Sequence, residues 1–158
     1  LGDDGPEDEL NRVSQPGKQF FGFPYCHANG IADPDVKRAD ACKGVTMPVT
    51  TMGPHAAVMG IHFYTGSMFP AEYQGVAFVA RKGSWNRTKK FGYDVVTVKA
   101  GADGKGAKVT PFLTGFMSEA DNSFWGRPAY IVQLKDGSLL VSDEQLGAIY
   151  RITYSGKK

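Results

Sequence analysis

Long apolar runs are missing from this chain: none approaches the roughly 20 residues needed to span a bilayer, and the charged opening at 1–9 is the opposite of a signal-peptide core. Charge of one sign is missing too. The 18 basic and 16 acidic residues leave a net charge of +2, far from the concentrated basic face by which nucleic acid is bound. Helical periodicity is nearly absent. There is no GxSxG elbow, phosphate-binding glycine loop or Rossmann fingerprint, which removes the common hydrolase, nucleotide and dinucleotide readings. The chain opens on Leu1 rather than Met, and its first residues read as the interior of a longer, water-soluble protein.

Cysteine is scarce. Cys26 and Cys42 are the only two, and they bracket a polar loop rich in Asp, Pro and Ala. A disulfide is the preferred reading; closing a loop of that size stabilises a fold by about 3 kcal/mol in the chain-entropy model. It points to an oxidising compartment, periplasmic or extracellular. Two independent buried thiols remain the alternative. Zinc is disfavoured, because there is no CxxC pair and the adjacent Cys26 and His27 are badly placed to ligate one ion. The acidic run Asp3, Asp4, Glu7, Asp8 and Glu9 lacks the alternating ligands and central Gly of an EF-hand, and reads as a solvated turn.

What the chain does have is short β-type runs between Gly, Pro and Asp punctuation, so the fold class is all-β. One set of strands is expected at 59–64, 75–80, 93–98 and 108–113, and a second at 129–134, 139–142 and 148–154. Asp136-Gly137 supplies a tight hairpin turn within the second. Gly75 and Gly137, each read as opening a second strand, stand 62 residues apart. This repetition implies four-stranded antiparallel units arrayed as β-propeller blades, the last lacking its outer strand. Residues 8–13 read as a short strand and 22–25 as an aromatic turn packing on its neighbour. The rest through Pro54 reads as a long loop tied by the cysteines. The expected division is therefore 1–58, the end of a blade plus the tied loop; 59–116, a complete blade; and 117–158, an incomplete last blade. Arg127, entering the last unit, would then carry a guanidinium near a propeller's central channel, where ligands bind.

Several stretches carry a resemblance: Pro6-Glu7-Asp8-Glu9-Leu10-Asn11-Arg12, Gly22-Phe23-Pro24-Tyr25-Cys26, Phe63-Tyr64-Thr65-Gly66 with Phe69-Pro70, Gly83-Ser84-Trp85-Asn86-Arg87, and Trp125-Gly126-Arg127-Pro128 with its continuation to Asp143. In order and spacing the chain resembles the C-terminal portion of the glucose/sorbosone dehydrogenase family, soluble quinoprotein aldose sugar dehydrogenases that use pyrroloquinoline quinone (PQQ). The resemblance implies part of a six-bladed propeller with PQQ on its top face. It implies PQQ and calcium as cofactors, and places the catalytic His and the calcium ligands upstream of Leu1, so no catalytic or metal-ligating residue is expected here. The remaining blades would come from upstream sequence or another chain.

PQQ is a planar tricarboxylate, so its pocket calls for cationic groups and flat surfaces. The resemblance points to Arg127 as a carboxylate-binding residue, to Lys82 or Arg87 as a second cationic contact, with Trp85 in the same loop, and to His55 as lining the quinone or sugar pocket. For each of these a structural role stands as the alternative: Arg127 pairing with Asp143 or Glu144, the 81–87 loop as a solvated rim, and each lone His as a packed residue. Two functions stay open: part of a dehydrogenase oxidising an aldose or sorbosone-like sugar at C1 by hydride transfer to the quinone, or a propeller-derived binding or structural module without catalysis. Neither the sugar nor the electron acceptor can be read from these residues.

Overall fold

The punctuation seen in the sequence divides the chain into thirteen strands, all paired antiparallel, in a computed structural model that describes residues 2–156. They are β1 (Glu7–Leu10), β2 (Cys26–His27), β3 (Ile31–Ala32), β4 (Thr50–Pro54), β5 (Val58–Phe63), β6 (Ala77–Arg81), β7 (Asp94–Lys99), β8 (Lys108–Leu113), β9 (Met117–Ser118), β10 (Ser123–Phe124), β11 (Pro128–Gln133), β12 (Leu139–Asp143) and β13 (Ala148–Ile152). Among the described residues the only helical element is a 3-10 turn at Ala71–Tyr73, and no helix is long and apolar enough to cross a membrane.

Three sheets carry the fold. β5-β6-β7-β8 form a four-stranded meander, β11-β12-β13 a three-stranded one, and β1-β4 a pair. The four-stranded sheet is the middle layer, and the sequence of β6 explains why. Ala77, Phe78, Val79 and Ala80 are an unbroken apolar run, all at most 2% exposed, as a strand covered on both faces requires. Phe78 and Ala80 face one way, into a core with Tyr64, Phe69, Val95, Ile131, Leu139 and Val141. Ala77 and Val79 face the other, onto Met52, Val96 and Val98. The period-two alternation of a strand thus joins β11–β12 on one side and β4 on the other.

The junction between the four- and three-stranded sheets is close and polar as well as apolar. A Cβ on Gly60 would lie 2.8 Å from the Ala129 carbonyl oxygen, so only glycine lets β5 approach β11. The buried Tyr64 hydroxyl donates to the Gly137 carbonyl at 2.8 Å and accepts from the Phe69 amide at 3.0 Å. Gln133 Oε1 accepts from the Thr65 and Gly66 amides at 2.9 and 3.1 Å.

The strands expected from 59 onward are present with ends moved by at most two residues, the one expected at 8–13 is shorter, Glu7–Leu10, and the last sheet has three strands. Tyr154 lies beyond the end of β13, half-exposed. Gly75 and Gly137 do not open strands: both have positive φ, +71° and +86°, and occupy the turns preceding β6 and β12. Residues 50–54 are not loop. Thr50, Thr51 and Pro54 pair with Leu10, Glu9 and Glu7 of β1, with Met52 between them fully buried, and the Gly53-Pro54 pair at the end of the strand hid it behind a turn signal. Nor is the acidic run merely solvated: Asp8 accepts from the Ala57 amide at 2.9 Å, and Glu9 from the Ala28 amide at 2.5 Å. Of the aromatic turn, Tyr25 packs on Phe20 while Phe23 is 79% exposed. Cys26 and Cys42 form the disulfide, with Cα atoms 5.1 Å apart and Cys26 buried. The three sheets do not close into a ring.

Candidate functional site

The loop between β6 and β7 is clamped at its base. Arg81 donates through Nε and Nη2 to the Asp94 carboxylate at 2.7 and 2.5 Å, and through Nη1 to the Met52 carbonyl at 3.1 Å. The Lys82 and Gly83 amides then bond the Ala57 and Ala56 carbonyls at 3.1 and 2.8 Å. Ser84 and Phe91 bond each other across the loop, and the Tyr93 hydroxyl donates to the Ser84 carbonyl. So fixed, the loop holds Trp85 out into solvent, 81% exposed.

Arg127 meets this loop from β11. Its Nη2 donates to the Gly83 carbonyl at 2.8 Å and its Nε to the Lys82 carbonyl at 3.3 Å. The guanidinium lies 5.9 Å from the Tyr93 ring centroid and 5.7 Å from that of Phe124, two rings themselves 4.7 Å apart. Cation–π attraction and two carbonyl bonds therefore fix its plane. Its remaining nitrogen, Nη1, is 3.7 Å from Glu144 Oε1, and the same oxygen is 2.7 Å from Lys82 Nζ. Lys82 and Arg127, 45 residues apart in the chain, thus converge on one carboxylate oxygen.

Two other candidates, Arg87 and His55, form a separate cluster. Arg87 donates to the Asp3 carbonyl at 2.9 Å, the Asp4 carboxylate at 3.0 Å and the Lys89 carbonyl at 2.9 Å. The Thr88 amide bonds the Asp3 carboxylate, and hydrogen bonding from Thr88 holds that carboxyl below its ordinary pKa. His55, in the left-handed region at φ 58°, places Nε2 2.8 Å from the Gly2 carbonyl. Arg87 and His55 therefore grip the segment 2–4, whereas Lys82 and Arg127 face Glu144.

The sequence reading named Glu144 only as a possible partner of Arg127, and missed what positions it. Asp143, 2% exposed, organises the turn after β12. Its Oδ1 accepts from the Arg127, Gln145 and Leu146 amides at 2.9, 2.9 and 3.2 Å, and its Oδ2 from the Tyr150 hydroxyl at 3.1 Å. Burial pushes this carboxyl up, but the bonds from Arg127, Leu146, Tyr150 and Gln145 outweigh it and hold its pKa below the ordinary value. Gly126 makes room: a Cβ there would stand 2.6 Å from Asp143 Oδ2. The signal available in the sequence was Asp143-Glu144 itself, two carboxylates ending a strand at the rim where Arg127 enters.

Asp143→Ala leaves three amides without their acceptor and is expected to cost about 3 kcal/mol at neutral pH, read from urea unfolding. Because the native pKa is depressed, the carboxylate's contribution is complete above the unfolded value of about 4 and is lost as pH falls through the native pKa. The gap between variant and wild type should accordingly narrow below pH about 4.

Two clefts lie elsewhere: one of about 470 Å³ between β1 and β5, walled by Leu10, Val13, Val49, Ile61 and Phe63, and a more open one of about 580 Å³ along β7 and β8, lined by Tyr73, Thr97, Lys99, Lys108 and Thr110. The first has one cation, Arg12, and neither cleft includes Lys82 or Arg127.

The family model described as TrAA12-like matches residues 1–155. The chain belongs to the TrAA12-like family. A Borreliella burgdorferi relative, itself uncharacterised, is 36% identical over 156 residues that cover 98% of this chain and 41% of that protein. Among solved structures, a calcium structure of a Trichoderma reesei enzyme of carbohydrate-active family AA12 superposes with a TM-score of 0.73 at 20% identity, over 98% of this chain and 44% of that one. The holo PQQ domain of Coprinopsis cinerea pyranose dehydrogenase gives 0.70 at 22% identity, over 97% and 45%. A glucose dehydrogenase gives 0.66 at 21% identity, over 98% and 38%. This TrAA12-like chain therefore shares their fold and spans less than half the length of each of these proteins.

Proposed function

We propose that the chain is the C-terminal part of a PQQ-dependent sugar dehydrogenase, oxidising an aldose or sorbosone-like sugar at C1. Its sheets would be blades of a six-bladed propeller: residues 1–58 end one blade and carry the disulfide-tied loop, 59–116 form a complete blade, and 117–158 the last, without its outer strand. The remaining blades, the general base and the calcium ligands would correspond to the more than half of the relatives' length that this chain does not span. The disulfide fits a periplasmic or extracellular setting.

The observation that carries this reading is the convergence of Lys82 and Arg127 on one carboxylate oxygen at the loop rim. The donor set fits a planar polycarboxylate. Arg127 is oriented by two main-chain carbonyls and two aromatic rings, leaving Nη1 directed at the carboxylate position, and Lys82 adds a point charge beside it. PQQ, when bound, supplies a quinone that accepts hydride from the sugar. Around it, Arg127 would orient one carboxylate, Lys82 would neutralise it, and the exposed Trp85 ring would offer a flat wall. His55 and Arg87, expected as further cofactor contacts, instead hold segment 2–4 in their separate cluster.

Titrating PQQ into the full-length protein and following quinone absorbance tests this directly. The expected result is saturable binding at one PQQ per chain, with dye reduction on adding aldose and calcium. No binding by the full-length protein would overturn the assignment.

A further inference from the structure

Glu144 occupies the point on which Lys82 and Arg127 converge, and the structure holds it there through its neighbours. Its amide donates to the Arg127 carbonyl at 3.1 Å, and the Asp143 side chain fixes the turn on both sides of it through the Arg127, Gln145 and Leu146 amides. One oxygen, Oε1, then serves both Lys82 and Arg127 while the side chain stays 42% exposed. Lys82 is 23% exposed and Arg127 16%, so in this pairing both cations are largely withdrawn from water.

We infer that Glu144 is a resident counter-anion: it holds Lys82 and Arg127 in place when no ligand is present, and yields its position to an incoming ligand carboxylate. This rests on the reading of the rim as a carboxylate-binding site. Two neighbouring cations without a partner would repel each other, and Lys82, on a flexible stem, would swing into solvent. A partly exposed carboxylate on a short turn prevents that at small cost, since it can rotate out toward water on displacement. Removing its charge leaves the cations to the ligand alone. Glu144 is thus a positioning residue that sets the affinity of the site rather than a group that reacts.

The probe is benzene-1,3,5-tricarboxylate, a flat tricarboxylate without a quinone, titrated calorimetrically into the full-length protein, with PQQ run in parallel. Glu144→Gln is expected to bind the probe about tenfold more tightly than wild type, a change of about 1.4 kcal/mol. Glu144→Asp should stay near wild type, and Lys82→Gln combined with Glu144→Gln should lose the gain. Equal or weaker binding by a Glu144→Gln protein of unchanged melting temperature overturns the inference, and so does absence of probe binding in both. If the probe binds with the expected pattern and PQQ does not bind, the counter-anion role stands and the PQQ assignment fails.

Discussion

Arg127→Ala in the full-length protein should weaken PQQ binding by at least about a hundredfold while leaving the chain folded. The side chain is committed on both sides: Nη2 and Nε hold the Gly83 and Lys82 carbonyls, and Nη1 faces the position now taken by Glu144. Its loss would remove the proposed ligand contact and also free Lys82 from the loop geometry that brings its amine to the same point. Arg127→Lys should recover little. One ammonium cannot bond two carbonyls and a carboxylate while lying over the Tyr93 and Phe124 rings. Truncating one partner of a partly buried charge pair costs about 2–5 kcal/mol, and the hundredfold figure sits at the lower end of that range. Quinone absorbance titration gives the affinity and thermal melting the fold; a fall in affinity below about threefold would remove Arg127 from the site.

Gly83→Ala should be the most destabilising single-methyl substitution in the loop, by about 3 kcal/mol or more. The residue sits at φ +100°, and a Cβ there would meet three atoms of the buried Tyr93 ring at 2.5 Å. Tyr93 cannot retreat freely: its hydroxyl is bonded to Ser84 and its ring lies against Phe124. Relief by moving the ring would tilt the surface beneath Arg127, so PQQ affinity should fall together with stability. Gly75→Ala is the control. It too has positive φ, +71°, but no atom lies within 4 Å of its added methyl, and only the backbone cost of about 1 kcal/mol applies. Urea midpoints of the two variants should differ accordingly.

The middle sheet was legible because β6 and β7 are made of Ala, Phe and Val in runs too apolar for loop, between turns marked by Gly and Asp. The β1–β4 pair was not. Met52 becomes core only by packing on Val79, Val96 and Val98, a contact across the fold that no local pattern announces. The two-residue hairpins β2–β3 and β9–β10 are shorter than any periodicity can register. At the candidate site, the family resemblance singled out Arg127 and left Lys82 and Arg87 as alternatives, and the structure brings Lys82, not Arg87, to the same point as Arg127. What the sequence withheld was the division of labour. Arg87 and Lys82 belong to one loop and carry one charge each, yet Arg87 turns to Asp3 and Asp4 and Lys82 to Glu144. That choice depends on where segment 2–4 and the turn at Asp143 come to lie, and both are tertiary facts. Glu144 was legible as a possible partner of Arg127, and that pairing is present, but its hold on Lys82 shows only once Asp143 is seen to aim it.

Arg127 grasps the 82–83 segment by its main-chain oxygens, and this bears on how such a protein can diverge. Any residue at position 82 presents the same carbonyl, so the joint between the two sheets tolerates exchange of that side chain. Position 83 has no such latitude, because its backbone angle and Tyr93 confine it to glycine. Lineages could therefore retune the charge offered to a ligand through a single codon at 82, leaving the architecture that holds it untouched.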